Sequence, residues 1–135
     1  MEDAIRVWID GASRGNPGKS GVGIVIRDSD GDVLDEISEY LGDDLTNNQS
    51  EYSALINALE FCVDQDFNEV RIYSDSELLV KQMNGEYDVN SENILNLYEE
   101  AKSLESEFSE VEYNHVPRNE NEVADDLANK AIEEG

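Results

Sequence analysis

The chain has 135 residues, 33 of them Asp or Glu against 9 Lys or Arg, and a formal net charge of −24. The length suits one domain, residues 1–135, and Leu, Ile, Val and Phe make up about a quarter of the chain, which excludes a disordered acidic polymer. Taken alone, the charge also argues against a nucleic-acid partner, because that affinity normally comes from Lys and Arg at phosphates. In chain order, Ile5 to Ile9 alternates and is β-prone, and it predicts a strand that ends at Asp10-Gly11. Ala12 to Ser20 holds Gly15, Asn16, Pro17 and Gly18 and reads as a loop. Gly21 to Arg27 reads as a second strand and Asp32 to Tyr40 as a third, joined by the turn Asp28 to Gly31. Thr46, Asn47 and Asn48 offer helix caps, and Tyr52, Leu55, Ile56, Leu59 and Val63 follow at helical spacing. Val70 to Ser74 is a short strand, Ser76 to Asn84 and Glu92 to Phe108 are helices, and Val111 to His115 is a last strand. A final helix from Asn119, with Glu122 in a capping-box position, buries Ala124, Leu127, Ala128 and Ala131.

This order predicts an α/β fold. Three antiparallel meander strands are followed by two strands reached through helical crossovers, which join parallel strands. The expected result is one mixed five-stranded sheet with helices on both faces. The single cysteine, Cys62, cannot form an internal disulfide, so a reducing compartment is expected. Met1-Glu2-Asp3 lacks the basic flank and apolar run of a signal peptide, and no apolar stretch is long enough for a membrane span. A cytoplasmic protein without a membrane partner is expected.

Position singles out four acids among the 33. Asp10 follows the first strand and Asp75 the fourth. If those strands are parallel neighbours, both carboxylates emerge at the carboxyl edge of the sheet, where open α/β sheets place ligands. Glu51 in the first long helix and Asp125 early in the last one could lie over the same edge. Four converging carboxylates raise one another's pKa, and divalent cations relieve that repulsion. Oxygen-only donors suit Mg²⁺ or Mn²⁺ rather than zinc, and two such ions would clamp the oxygens of a phosphoryl transfer. Spacing alone leaves open that Asp10 and Asp75 are only turn residues after strands.

The residues around these acids carry a family resemblance. Asp10-Gly11-Ala12-Ser13-Arg14-Gly15-Asn16-Pro17-Gly18 resembles the first motif of type 1 ribonuclease H, and Thr46-Asn47-Asn48-Gln49-Ser50-Glu51-Tyr52-Ser53-Ala54-Leu55 the second. Tyr73-Ser74-Asp75-Ser76 resembles the third motif. His115-Val116-Pro117-Arg118, with Asn121 and Ala124-Asp125-Asp126-Leu127-Ala128-Asn129, resembles the fourth. The motifs occur in family order over essentially the whole chain. The resemblance implies the ribonuclease H-like fold and an endonuclease that cuts the RNA strand of an RNA–DNA hybrid with two Mg²⁺, replaceable by Mn²⁺, leaving 3′-hydroxyl and 5′-phosphate ends.

Carried over by position, Asp10, Glu51, Asp75 and Asp125 are the catalytic metal-binding acids, with Asp10 bridging both ions. Helix geometry points Asp125 and its neighbour Asp126 about 100° apart, so Asp126 is expected in solvent. His115, the only histidine, stands ten residues before Asp125 and matches a family residue that aids proton transfer or product release. Its alternative is local capping at a strand end. Ser13, Gly15 and Asn16 match positions that approach the 2′-hydroxyl by which RNA is told from DNA. Asn47 and Asn48 match minor-groove contacts, or serve only as helix caps, and Thr46 matches a pocket for a DNA-strand phosphate. Arg14, Lys19, Lys81 and Arg118 are the cations near the motifs and candidates for phosphate contacts.

The segment Lys81 to Val89 departs from family members that carry a basic insertion there, and no separate N-terminal hybrid-binding domain is read, so hybrid affinity in dilute salt is expected to be weak. A DEDD-type exonuclease would begin with Asp-x-Glu, unlike Asp10-Gly11-Ala12, and a retroelement-derived enzyme fits a free chain of this length poorly. A catalytically inactive nucleic-acid-binding module of the same fold is disfavoured by the presence of all four acids, and an acidic interaction or chaperone protein would explain the charge but not the motifs. A monomer is expected. Scarce lysine and acids on exposed helix faces, such as Glu99, Glu100, Glu105 and Glu107, point to adaptation to a very salty cytoplasm.

Overall fold

A computed structural model describes residues 4–135. Met1, Glu2 and Asp3, on which the expectation of no signal peptide rests, lie outside the described residues. The elements are β1 (Ile5–Gly15), β2 (Gly18–Arg27), β3 (Val33–Leu45), α1 (Asn47–Asp64), β4 (Glu69–Ser74), α2 (Glu77–Met83), α3 (Glu92–Glu105), β5 (Glu110–His115), a 3₁₀ turn (Arg118–Glu120) and α4 (Glu122–Glu134). The five strands form one sheet in the order β3-β2-β1-β4-β5. The pairs β1–β2 and β2–β3 are antiparallel, and β1–β4 and β4–β5 are parallel. This is the mixed sheet expected from the element order.

One sheet face carries the main core. Val7 and Ile9 of β1, Ile24 and Ile26 of β2 and Ile72 of β4 meet Tyr52, Leu55, Leu59 and Cys62 of α1, all fully buried. The period of two along the strands and the 3.6-residue period of α1 bring these positions together. The Tyr52 hydroxyl donates to Gln82 Oε1 at 2.8 Å, and Gln82 Nε2 donates to the Asp88 carbonyl at 3.2 Å, tying α1 to α2 and the segment after it. On the opposite face α4 packs against β2, β3 and β1 through Ala124, Ala128, Ala131 and Ile132. It comes this close because β2 offers glycine: a Cβ on Gly23 would lie 2.0 Å from the Ala124 carbonyl oxygen. No helix among the described residues is long and apolar enough to cross a membrane.

Several boundaries differ from expectation. The segment from Ala12 to Ser20 is not a loop: β1 and β2 pair continuously from Arg6↔Arg27 to Gly15↔Gly18. The Gly and Pro signals mark only the tight turn at Asn16-Pro17, where Gly15 takes φ 105, a backbone region open mainly to glycine. β3 runs five residues beyond Tyr40, because Gly42 and Leu45 still find partners in Ser20 and Gly18 across an irregular register. α3 ends at Glu105, three residues short of Phe108, which is buried without being helical. The last helix begins after a 3₁₀ turn, with Asn121 at its N-cap and no side-chain cap hydrogen bond, so the capping box from Asn119 to Glu122 does not form.

Candidate active site

The β1–β4 pairing ends at Ile9↔Ser74, so the next residue of each strand, Asp10 and Asp75, leaves the parallel pair at the same place. Beyond that point β4 stops while β1 continues in its hairpin with β2, so Asp10 lies within a strand rather than at its end. Asp10 is 5% exposed. Glu51 comes from α1 across a narrow gap in which the Gly11 N–H donates to Glu51 Oε1 at 2.6 Å. One carboxylate oxygen from each of Asp10, Glu51 and Asp75 lies within 4.8 Å of the others. Asp125, half-buried in the first turn of α4, lines the same cleft of ≈ 320 Å³. Four acids from four chain segments therefore face one space.

Their electrostatics follow from burial and like charge. Desolvation pushes the Asp10 carboxyl far above its ordinary value of 3.8, and Glu51, Asp125 and Asp75 push it further. Glu51 is raised chiefly by burial; the Gly11 amide and Arg118 favour its charged form, while Asp75 and Asp125 oppose it. Asp75 is raised by burial and Asp125, offset by Arg118 and by the nearby Asn121 amide. Such a cluster is unfavourable at neutral pH without added positive charge. The donors are all carboxylate oxygens, so the set fits a hard divalent cation.

Asn121, only 2% exposed, donates from Nδ2 to the Ile9 carbonyl at 2.9 Å. It fixes the start of α4 to the strand that carries Asp10, while also touching Asp75. The motif contained Asn121, but its position in a sequence carries no sign of a buried contact 112 residues away. Asn129, also unassigned by sequence reasoning, donates from Nδ2 to the Asp125 carbonyl at 2.9 Å and to its side-chain Oδ1 at 3.3 Å. The helical spacing of four was the signal available for that pair.

The remaining expected residues spread around this centre. His115 is exposed at the end of β5, opposite Ser74 in the parallel register and so one residue from Asp75. Asp126 is exposed, in contrast to Asp125. The Ser13 hydroxyl turns inward and donates to the Leu45 carbonyl at 2.7 Å. Arg14 lines the cleft, yet its guanidinium reaches Glu133 at 3.0 Å and Asn129 at 3.3 Å on α4. Thr46 is the N-cap of α1 in a full capping box with Gln49, so Asn47 and Asn48 are not the caps. The exposed Asn16 accepts from the Asn47 N–H at 3.0 Å, and with Thr46 and Asn48 these residues line a second, adjoining cleft. Gly15 lies at the hairpin turn. Arg118 lines the acid cleft; Lys19 is exposed on β2, and Lys81 stands 5.1 Å over the Tyr87 ring.

A family profile described as "Reverse transcriptase-like" matches residues 9–131. Ribonuclease HI of Halobacterium salinarum is 41% identical over 130 residues, covering 96% of this chain and 65% of that protein. The chain thus spans less than two thirds of that relative's length. Among solved structures, RNase H1 from the halophilic archaeon Halobacterium salinarum superposes with a TM-score of 0.94 at 40% identity, covering 98% of this chain and 99% of that one. LC11-RNase H1, solved in complex with an RNA/DNA hybrid, superposes with a TM-score of 0.91 at 39% identity, covering 96% and 97%.

Proposed function

Since the chain belongs to the type 1 ribonuclease H family, we propose that it is an endonuclease hydrolysing the RNA strand of RNA–DNA hybrids, with residues 1–135 as one catalytic domain. The observation that carries this reading is the convergence of Asp10, Glu51 and Asp75 within 4.8 Å, with Asp125 in the same cleft. A relative 39% identical is solved with a hybrid bound, which supports the substrate.

In this reading Asp10, Glu51, Asp75 and Asp125 hold two Mg²⁺, or Mn²⁺ in their place. When bound, the ions supply positive charge that stabilises the entering and departing oxygens of the displacement. The burial that raises the Asp10 and Glu51 pKa values makes the chain's own acids poor at staying charged unaided, so ion binding and their ionisation are linked. Asn129 holds Asp125 in position, and Asn121 ties the start of α4 to the strand that carries Asp10. His115, exposed at the strand end beside this edge, aids proton transfer or product release. Ser13, Gly15 and Asn16 present backbone and small polar groups to the 2′-hydroxyl face. Asn47 and Asn48 reach the minor groove, Thr46 faces a DNA-strand phosphate, and Arg14, once released from Glu133, contacts a phosphate. Products carry 3′-hydroxyl and 5′-phosphate ends. A monomer in the cytoplasm belongs to the same reading, supported by a single free, buried cysteine.

The test is cleavage of a hybrid labelled on its RNA strand, with Mg²⁺ or Mn²⁺ at several salt concentrations, by wild type and Asp10→Asn. RNA-strand cleavage lost in the variant supports the reading. Absence of cleavage by wild type under every condition defeats the activity, and equal rates in the variant defeat the site.

A further inference from the structure

We propose that the half of the sheet left open beside α4 is a second nucleic-acid site, taking the phosphates and an unpaired base of a single strand. The chain has five arginines, and three of them form one row across three strands. Arg6 on β1 is the direct partner of Arg27 on β2 and of Arg71 on β4. Adjacent strands lie about 4.8 Å apart, and like charges placed directly opposite one another destabilise a sheet. A chain of net charge −24 is poor in cations, yet it concentrates them here, where they repel. The arrangement makes physical sense for a surface completed by an anion.

The neighbours define which anion. Arg71 meets Glu112 only at 3.8 Å in an exposed pair, and among the described residues Arg6 and Arg27 form no ion pair. The next row toward the catalytic edge holds Val25, Trp8 and Tyr73, again in direct register. Trp8 and Tyr73 stack at 4.7 Å between centroids, and the Arg27 guanidinium lies 5.7 Å from the Trp8 ring. Both rings are half-buried rather than sealed by a helix, because α4 packs on β2, β3 and β1. Beside Trp8 a cleft of ≈ 280 Å³ runs between Val25, Arg27 and the segment from Asn119 to Ala124, whose Glu120 and Glu122 line its far wall, so the phosphates belong on the arginine side and the base in the cleft. Guanidinium groups next to aromatic rings are the combination that holds single strands, through phosphate pairing and base contact. The cleft lies between the sheet and the start of α4, and its volume has room for one unpaired base. One more step of two residues along β1 leads from Trp8 to Asp10, so this face is continuous with the catalytic edge. The site thus adds to the proposed cleavage a hold on single-stranded nucleic acid adjoining the hybrid.

Trp8 is the only tryptophan, so its fluorescence reports this face directly. The probe is a single-stranded DNA of about 12 nucleotides, within the usual site size, in chelator and low salt. We expect it to change Trp8 emission, and to bind at least about tenfold more weakly to R6Q/R71Q, with the salt dependence reduced by about 1.4 for two lost phosphate contacts. Circular dichroism verifies the fold of that variant, and Arg71→Glu, at an exposed position, provides a second test should it misfold. Asp10→Asn should bind the strand as wild type does, whether or not the hybrid-cleavage reading holds. No emission change, or equal binding by the arginine variants, overturns the proposal. So does clearly tighter binding in Asp10→Asn, because loss of that negative charge would favour a strand lying in the catalytic cleft. Equal displacement by poly-glutamate would assign the surface to an acidic protein instead and overturn it too.

Discussion

Gly11→Ala tests how the site is held together. A Cβ at Gly11 would lie 2.2 Å from the carbonyl carbon and oxygen of Ser50 and 2.4 Å from the Glu51 nitrogen. Ordinary van der Waals contact begins at 3.4 Å, so α1 must retreat from β1 by about 1 Å at the turn that carries Glu51. The backbone here has no soft side-chain end to give way. The retreat stretches the 2.6 Å bond from the Gly11 amide to Glu51 and moves that carboxylate away from Asp10 and Asp75. Overpacking of this kind costs roughly 1–3 kcal/mol, which lowers the melting temperature by about 4–11 °C for a chain of this size. Displacing a reacting group by about 1 Å costs on the order of a hundredfold in rate. The assay is single-turnover hybrid cleavage at a temperature where circular dichroism finds the variant folded, together with a melting curve. A variant with wild-type melting and a rate within about threefold of wild type would refute the argument that the β1–α1 approach sets the position of Glu51.

Three further outcomes follow from particular groups. Asp10 has a folded-state pKa raised above its ordinary 3.8, so the folded chain holds this proton more tightly than the unfolded one. Its contribution to stability is intact below that ordinary value and is lost as pH rises toward the raised one. In chelator, wild type should therefore lose stability with rising pH more steeply than Asp10→Asn, and divalent ions should close the gap; parallel melting profiles would contradict this. Thr46→Ala removes one half of the α1 capping box and should cost about 1 kcal/mol in urea unfolding with the slope unchanged. Raising KCl to about 1 M shortens the Debye length to near 3 Å, so the chain should melt higher in molar salt than in dilute buffer; a maximum in dilute, metal-free buffer would count against adaptation to salt.

The sequence was most informative where a residue's partners lie close along the chain or repeat with the period of an element. The strand alternation around Val7 and Ile9 and the 3.6-residue stripe of α1 predicted the main core, and the meander followed by two crossovers predicted the mixed sheet. The meander and crossover rules make β1 and β4 parallel, but that they are neighbours, which brings Asp10 and Asp75 together, came from the structure. What sequence alone does not carry is length of pairing. Gly15, Asn16, Pro17 and Gly18 are turn residues, yet only the middle pair turns, because cross-strand hydrogen bonds outweigh weak local preference on either side. Close approach was equally hidden. Gly11 and Gly23 look like ordinary glycines until α1 and α4 lie against them. Asn121 gains its meaning from the Ile9 carbonyl, and the inward turn of Ser13 depends on Leu45, both tertiary contacts that no local pattern encodes. The cross-strand arginine row appeared only once the register was known.

In the proposed function this acid-coated chain cuts RNA paired to DNA with its carboxylate cluster. The most direct measurement is a hybrid labelled on both strands, incubated with the protein in Mg²⁺ or Mn²⁺ and, in parallel, in chelator. Cuts are expected in the RNA strand alone, ending in 3′-hydroxyls, and none without the divalent ion. Cleavage that persists in chelator, or that falls equally on the DNA strand, would contradict it.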